Sequence, residues 1–208
     1  MALRWPIVRT WLLVLIVLLA SCANDGRTLA PPQPDQTTTT RPPPPTSAPN
    51  NEVSESGLTL SSPDFEPGSQ APLDTTCAGL NVFPNLEWSE VDPAAAELAV
   101  ALIDQTDPEE ALLLWLMAGI SPQEAGLTAG QAPAGGFETL NDYGSQGYGS
   151  PCLESTGEGE RDLQFRLYVL NEPSGVGAGA AGNEAWNTVA TRSIDTASVL
   201  MRITASNA

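Results

Sequence analysis

Asn141-Asp142-Tyr143-Gly144-Ser145-Gln146-Gly147-Tyr148-Gly149-Ser150-Pro151-Cys152, followed after a short break by Leu163-Gln164-Phe165-Arg166-Leu167-Tyr168-Val169, carries the most information in this chain. The first stretch is crowded with small and turn-forming residues, so it is neither a helix interior nor a plain strand. It reads as a shaped loop whose glycines let another group approach the backbone. In the second stretch Leu163, Phe165, Leu167 and Val169 alternate with Gln164, Arg166 and Tyr168, and that period of two predicts a half-buried strand.

Working outward, Ala197, Val199, Met201 and Ile203 alternate in the same way and predict a final strand. Leu58-Thr59-Leu60, ended by Ser61-Ser62-Pro63, and residues 86–89 are short strand candidates. Residues 98–103 and 112–118 are apolar runs of strand length, read as buried strands with buried helix as the alternative. Asn183 is placed to cap a short helix through Ala190. The reading is a mainly β domain with little helix, spanning residues 57–208. About 150 residues bury roughly two-thirds of their unfolded surface, enough for an independent core. Trp88 and Trp115 sit in apolar strands and belong to that core, and Trp186 packs the helix down.

Composition excludes much chemistry. The chain has 208 residues and no histidine, and its eight basic residues are all arginine. No Ser-His-Asp or Cys-His arrangement can be assembled, and no P-loop lysine, Schiff-base lysine or histidine metal ligand exists. No nucleophile–base pair stands out, no cofactor is implied, and the expectation is a protein that is not an enzyme. The net charge of −17 repels nucleic acid and anionic head groups and reads as solubility at a cell surface. No D-x-D-x-D-G loop supports a Ca²⁺ site. Gly177-Ala178-Gly179-Ala180-Ala181-Gly182 fits G-x-G-x-x-G, but no βαβ unit surrounds it, so it reads as a loop. Asp107, Glu109 and Glu110 read as a solvated acidic turn rather than paired catalytic carboxylates.

The first 22 residues read as an address. Arg4 and Arg9 form a positive n-region, and residues 11–20 an apolar stretch too short to span a bilayer. Leu19-Ala20-Ser21-Cys22 then resembles a bacterial lipobox, in which the cysteine thiol takes the diacylglyceryl unit. The expectation is a signal peptide over 1–21 and a mature chain anchored through lipid on Cys22 to the bacterial cell membrane, outside the cytoplasm. The alternative is an ordinary secretory signal with a chance cysteine. Residues 22–56, with Pro31-Pro32, Thr37-Thr38-Thr39-Thr40 and Pro42-Pro43-Pro44-Pro45, have little to bury and read as a disordered tether. Such a tether reaches at most ~100 Å at 3.1 Å per residue. Cys77 and Cys152 remain, and two cysteines in an exported domain usually pair; two free thiols are the alternative.

Three segments then occur in a telling order: Thr76-Cys77-Ala78-Gly79-Leu80-Asn81-Val82-Phe83-Pro84-Asn85-Leu86-Glu87-Trp88; Ala101-Leu102-Ile103-Asp104 with Asp107-Pro108 and Trp115 after it; and the glycine loop ending Pro151-Cys152, followed by Leu167-Tyr168-Val169-Leu170-Asn171. Together they resemble the bacterial branch of the phosphatidylethanolamine-binding, or Raf-kinase-inhibitor-like, family. Its members read TCDG-x-N-x-SPPL-x-W, then DPDAP, then HW, then ND[FY]G-x-x-GYGGPCPP, then GPHRY before a strand ending LYALD. The resemblance implies a β-sandwich of antiparallel sheets with a few peripheral helices. It also implies a small surface pocket for an anion such as phosphate. That pocket is built from the DPDAP aspartate, the His before the Trp, the glycine loop, the His-x-Tyr of GPHRY and a C-terminal Tyr.

Carried onto this chain, the pocket positions are Asp107, Pro108, Leu114, Gly149, Ser150, Pro151 and Arg161. The departures matter more than the matches. Leu114 stands for the first His and Arg161 for the second, while the two tyrosines fall near Leu163 and Ile203. Most side-chain donors for phosphate are therefore gone, and Glu158 and Glu160 add negative charge nearby. The expectation is a degenerate anion pocket and a role in small-ligand or protein contact. The alternative is a carrier of an anionic small molecule, clamped by Arg161 beside the glycine loop.

Overall fold

The computed structural model describes residues 51–152 and 159–204. The expected signal peptide, Cys22 and the tether up to residue 50 lie outside the described residues, as does Glu158. The strands, in chain order, are β1 (Asn51–Glu52), β2 (Thr59–Ser61), β3 (Leu86–Ser89), β4 (Glu97–Asp104), β5 (Leu112–Ile120), β6 (Gly126–Leu127), β7 (Phe137–Glu138), β8 (Glu160–Leu170) and β9 (Ser193–Thr204). Among the described residues, helix α1 (Gly182–Arg192) precedes β9, and a 3₁₀ turn covers Leu73–Thr75. A six-stranded sheet of order β1-β9-β8-β4-β5-β7 and a three-stranded sheet of order β2-β3-β6 are both antiparallel. This is the antiparallel β architecture that the strand patterns predict.

The apolar runs are strands because both their faces are buried. On β4, Leu98, Val100 and Leu102 enter the core between the two sheets, against Leu60, Leu86 and Trp88. Ala99, Ala101 and Ile103 face the opposite way, into a second core under α1 with Ala185 and Val189. Alanine there lets the helix pack close. A strand buried on both faces shows no polar alternation, which is why periodicity alone cannot separate it from buried helix.

Three expectations need correcting. Strand β8 is not half-buried: Gln164 and Tyr168 are as buried as Phe165. Its second face lies under α1, where Trp186 Nε1 donates to Tyr168 Oη at 2.7 Å, and Gln164 Nε2 donates to Ser198 Oγ at 3.0 Å. Asn183 does not cap α1. The N-cap is Ala181, which has no polar side chain; Asn183 lies inside the first turn, where its Nδ2 donates to Asp142 Oδ1 at 2.8 Å. The fold also begins before Gly57: β1 pairs with β9 at Val199 and Ser198, and Ser54 and Ser56 bond to Asp195. Short polar segments such as this join a sheet edge through backbone and hydroxyl groups, which hydropathy does not register.

Buried phenols make the fold sensitive to base. Tyr148 Oη donates to the Thr75 carbonyl at 3.1 Å, and burial pushes its pKa far above the ordinary tyrosine range. Burial raises Tyr168 as well. A phenol that stays protonated in the native state but ionises when unfolded contributes its full stability below pH ~10 and loses it as pH rises. The unfolding free energy should therefore fall above pH ~10 by about 1.4 kcal/mol per pH unit for each such tyrosine. Urea unfolding of wild type and Tyr148→Phe between pH 9 and 11 checks this. The variant should show the shallower slope, and equal slopes would remove Tyr148 from the argument.

Candidate functional site

The glycine loop, residues 141–152, is fastened to the edge of β5 by a bulge. Leu102 pairs with Trp115 and Ile103 with Leu113, so Leu114 is the extra residue between them. The bulge turns Leu114 and Trp115 into the same core and frees the Leu114 carbonyl, which accepts Gly149 N–H at 2.9 Å. Bulges re-aim side chains beside functional sites. Here the re-aimed side chain is leucine, fully buried and without a donor. A Cβ at residue 149 would meet Asn141 Nδ2 at 2.8 Å, the Leu114 carbonyl oxygen at 2.9 Å and the Tyr143 ring at 2.9 Å, so only glycine fits.

Asn141 organises the loop from inside. Its Oδ1 accepts the amides of Tyr143 at 3.0 Å and Ser145 at 3.1 Å, and its Nδ2 donates to the Gly147 carbonyl at 3.0 Å. Tyr148 is packed against Phe83 and Trp115. Ser150 Oγ bonds to Asn81 Oδ1, Pro151 is buried, and Cys152 is joined to Cys77 with Cα atoms 5.7 Å apart. The expected disulfide is therefore formed, and it ties the loop to the 73–82 segment.

The first strand turn of β8 brings Arg161 to this loop. Its Nη1 donates to Asp104 Oδ2 at 3.0 Å, with the carboxylate 7% exposed and the guanidinium 29% exposed. The other Asp104 oxygen accepts the Thr106 amide at 3.0 Å and the Thr106 hydroxyl at 2.6 Å. Thr106 Oγ1 in turn accepts the Asp162 amide at 3.1 Å. The pair is thus locked at both ends. Tyr143, about half exposed, lies beside Arg161; partial burial raises its pKa, opposed by the guanidinium and reinforced by Asp104 and Asp142.

Of the residues that the family pattern singles out, Gly149, Ser150, Pro151 and Arg161 share this corner, with the Leu114 backbone beneath them. Asp107 and Pro108 are exposed in the β4–β5 turn, where Asp107 Oδ1 accepts the Glu109 amide at 3.0 Å. The carboxylate that meets Arg161 is Asp104, the last residue of β4. Leu163 and Ile203, at the tyrosine positions, are fully buried. Sequence reasoning missed Asp104, Asn141 and Tyr143. The signal for Asp104 was a lone acid at the end of an otherwise apolar run, where a buried carboxylate needs a partner.

The Arg161 charge is already matched by Asp104, and Asp142 adds a carboxylate whose oxygens accept the Leu113 amide at 2.7 Å and Asn183. Nearby, Asp162 and Glu160 hold Arg202 at 3.0 and 3.1 Å. Among the described residues, surface clefts also lie apart from this corner. One of about 620 Å³ is lined by Asn85, Glu87, Trp88 and Thr128, and another of about 480 Å³ lies between the 174–181 loop and α1. In the first, Asn85 is consumed by Asp64 and the Ala129 amide, so its polar groups already have partners.

Comparison with known proteins agrees with this architecture. Over 180 residues the chain is 36% identical to a Mycobacterium tuberculosis protein named as a lipoprotein, LppC, covering 86% of each chain. It is 33% identical over 119 residues to a UPF0098 protein of Methanothermobacter thermautotrophicus, covering 55% of this chain and 77% of that one. Among solved structures, Escherichia coli YbcL, described as a member of the mammalian PEBP family, superposes with a TM-score of 0.65 at 21% identity, over 71% of this chain and 98% of that one. A profile of the phosphatidylethanolamine-binding protein family matches residues 61–204, nearly all of the described fold, and the chain belongs to that family.

Proposed function

We propose that this protein is a lipid-anchored, non-enzymatic binding protein of the extracytoplasmic face, in which the inherited anion pocket is closed from within. The carrying observation is the Arg161–Asp104 pair. Among the described residues, the cation facing the glycine loop is Arg161, bonded to a carboxylate with almost no solvent access. Around it, the positions that would hold donors carry Leu114, Leu163 and Ile203, all buried in the core. An incoming phosphate would have to displace Asp104 and meet Asp142 without gaining an imidazole or a phenol in return. The role left to the domain is contact with a small ligand or a protein through its surface. The anchoring half rests on the lipobox at Cys22 and on the similarity to LppC. Among the described residues no helix is long and apolar enough to cross a membrane.

A titration tests the pocket. Phosphate, phosphoethanolamine and sulfate are added to the ¹⁵N-labelled chain, with backbone amide shifts followed by NMR. The expected result is no saturable shift at residues 147–152 or at Arg161 at millimolar ligand. The exposed part of Arg161, with Tyr143 beside it, favours the second reading, a carrier of anionic small molecules. Saturable shifts confined to these residues, and lost in Arg161→Ala, would replace the first reading by the second.

A further inference from the structure

Residues 73–82 form a stiff tongue beside the site. The Thr76 amide and hydroxyl donate to the Leu73 carbonyl at 3.0 and 2.8 Å, and Val82 N–H donates to the Asp74 carbonyl at 3.1 Å. Gly79 lies so close to Leu73 that a Cβ there would sit 2.1 Å from the Leu73 carbonyl oxygen. The Cys77–Cys152 bond pins the tip, and Asn81 turns the chain with φ 57°. On this frame Leu80 is 70% exposed and Leu73 54% exposed, the largest exposure among the leucines described. Asp74 is the tongue's only charge, in a chain of net charge −17. Holding two leucines in water on a loop that cannot fold them away favours a partner.

We propose that this tongue docks on the bilayer to which the protein is anchored; the inference rests on the lipid anchor at Cys22. Area decides against a second copy, since a stable protein interface needs ~800 Å² from each partner and two leucines supply a small part of it. A bilayer needs no such area here, because the anchor keeps its surface at high effective concentration. The residues between Cys22 and Asn51 reach at most ~100 Å, which spans the domain, whose radius of gyration is ~15 Å. Any face can therefore meet the membrane, and charge selects among them: acidic faces are held off anionic head groups while the near-neutral tongue is not.

The test uses the full chain, lipidated in its host and placed in nanodiscs of phosphatidylcholine and anionic phosphatidylglycerol containing spin-labelled lipid. Amides 73–82 should relax at least threefold faster than those of β3, and the excess should vanish in Leu73→Ser/Leu80→Ser while the protein stays on the disc. Relaxation of the tongue no faster than the rest, or unchanged in the double variant, overturns the docking. Broadening that follows protein concentration rather than spin label assigns the tongue to a second copy and overturns it too. The intact mass is read first: no lipid on Cys22 overturns the anchoring reading itself, a failure distinct from a lipidated chain whose tongue stays in water.

Discussion

Replacing Trp115 with alanine should lower the unfolding free energy by about 3–5 kcal/mol, the range for a fully buried aromatic. Trp115 has no solvent exposure. It stacks on Phe83 with centroids 4.6 Å apart, meets Tyr148 at 5.9 Å and Phe165 at 6.4 Å edge-on, and donates its indole N–H to Glu138 at 2.8 Å. Alanine would leave a cavity where strands β5 and β8 meet the glycine loop, and would strip the Glu138 carboxylate of a donor. Collapse is hindered because Phe83 lies near the disulfide-tied tongue and the Leu114 bulge fixes the backbone. Urea unfolding followed by circular dichroism measures the loss. Amide exchange adds a local readout: Tyr148 and Gly149, which rest on the ring and on the bulge, should lose protection first. Trp115→Phe keeps the stacking and should cost less than about 2 kcal/mol. A loss below 1 kcal/mol for the alanine variant would mean that the aromatic cluster does not hold the loop.

The strands were legible from the sequence in two ways: alternation at every second residue marks a strand with one apolar face, while a strand buried on both faces shows only as a short apolar run, read by its length. Leu86 to Ser89, the run around Val100, and the alternation from Leu163 to Val169 all fall where the pattern places them. The glycine loop was legible for a related reason, since only glycine tolerates the approach of Asn141, Leu114 and Tyr143 to residue 149. What stayed hidden depends on pairs of residues far apart in the chain. Asp104 and Arg161 are 57 residues apart, and nothing local in either says that the other completes it. The bulge at Leu114 is a property of two strands and has no signature in one. The family pattern drew attention to Asp107 because a proline follows it. The register instead sets Asp104 opposite Leu163, two residues from Arg161.

If Asp104 closes the anion pocket, as proposed, Asp104→Asn should open it. The substitution conserves shape. Its Oδ1 can still accept the Thr106 amide and hydroxyl, while its Nδ2 now presents donors to a guanidinium that has only donors itself. Arg161 would lose its partner and swing its charge toward solvent beside Tyr143 and Ser150. A charge-assisted bond is worth about 1.5–3 kcal/mol, so phosphate affinity should rise roughly 10- to 150-fold over wild type. The cost is the lost ion pair, about 1–3 kcal/mol of stability given that Arg161 is partly exposed. Amide shifts on phosphate titration measure the gain, and Asp104→Asn/Arg161→Ala should abolish it. If the single variant folds and still ignores phosphate, Asp104 is not the lock, and the apolar residues at 114, 163 and 203 suffice to exclude the anion. If wild type already binds as well as the variant, Asp104 never competed with the anion, and the pocket is open in the native protein. The two failures point to different residues, because the lock is one removable carboxylate whereas the missing donors are spread over three strands.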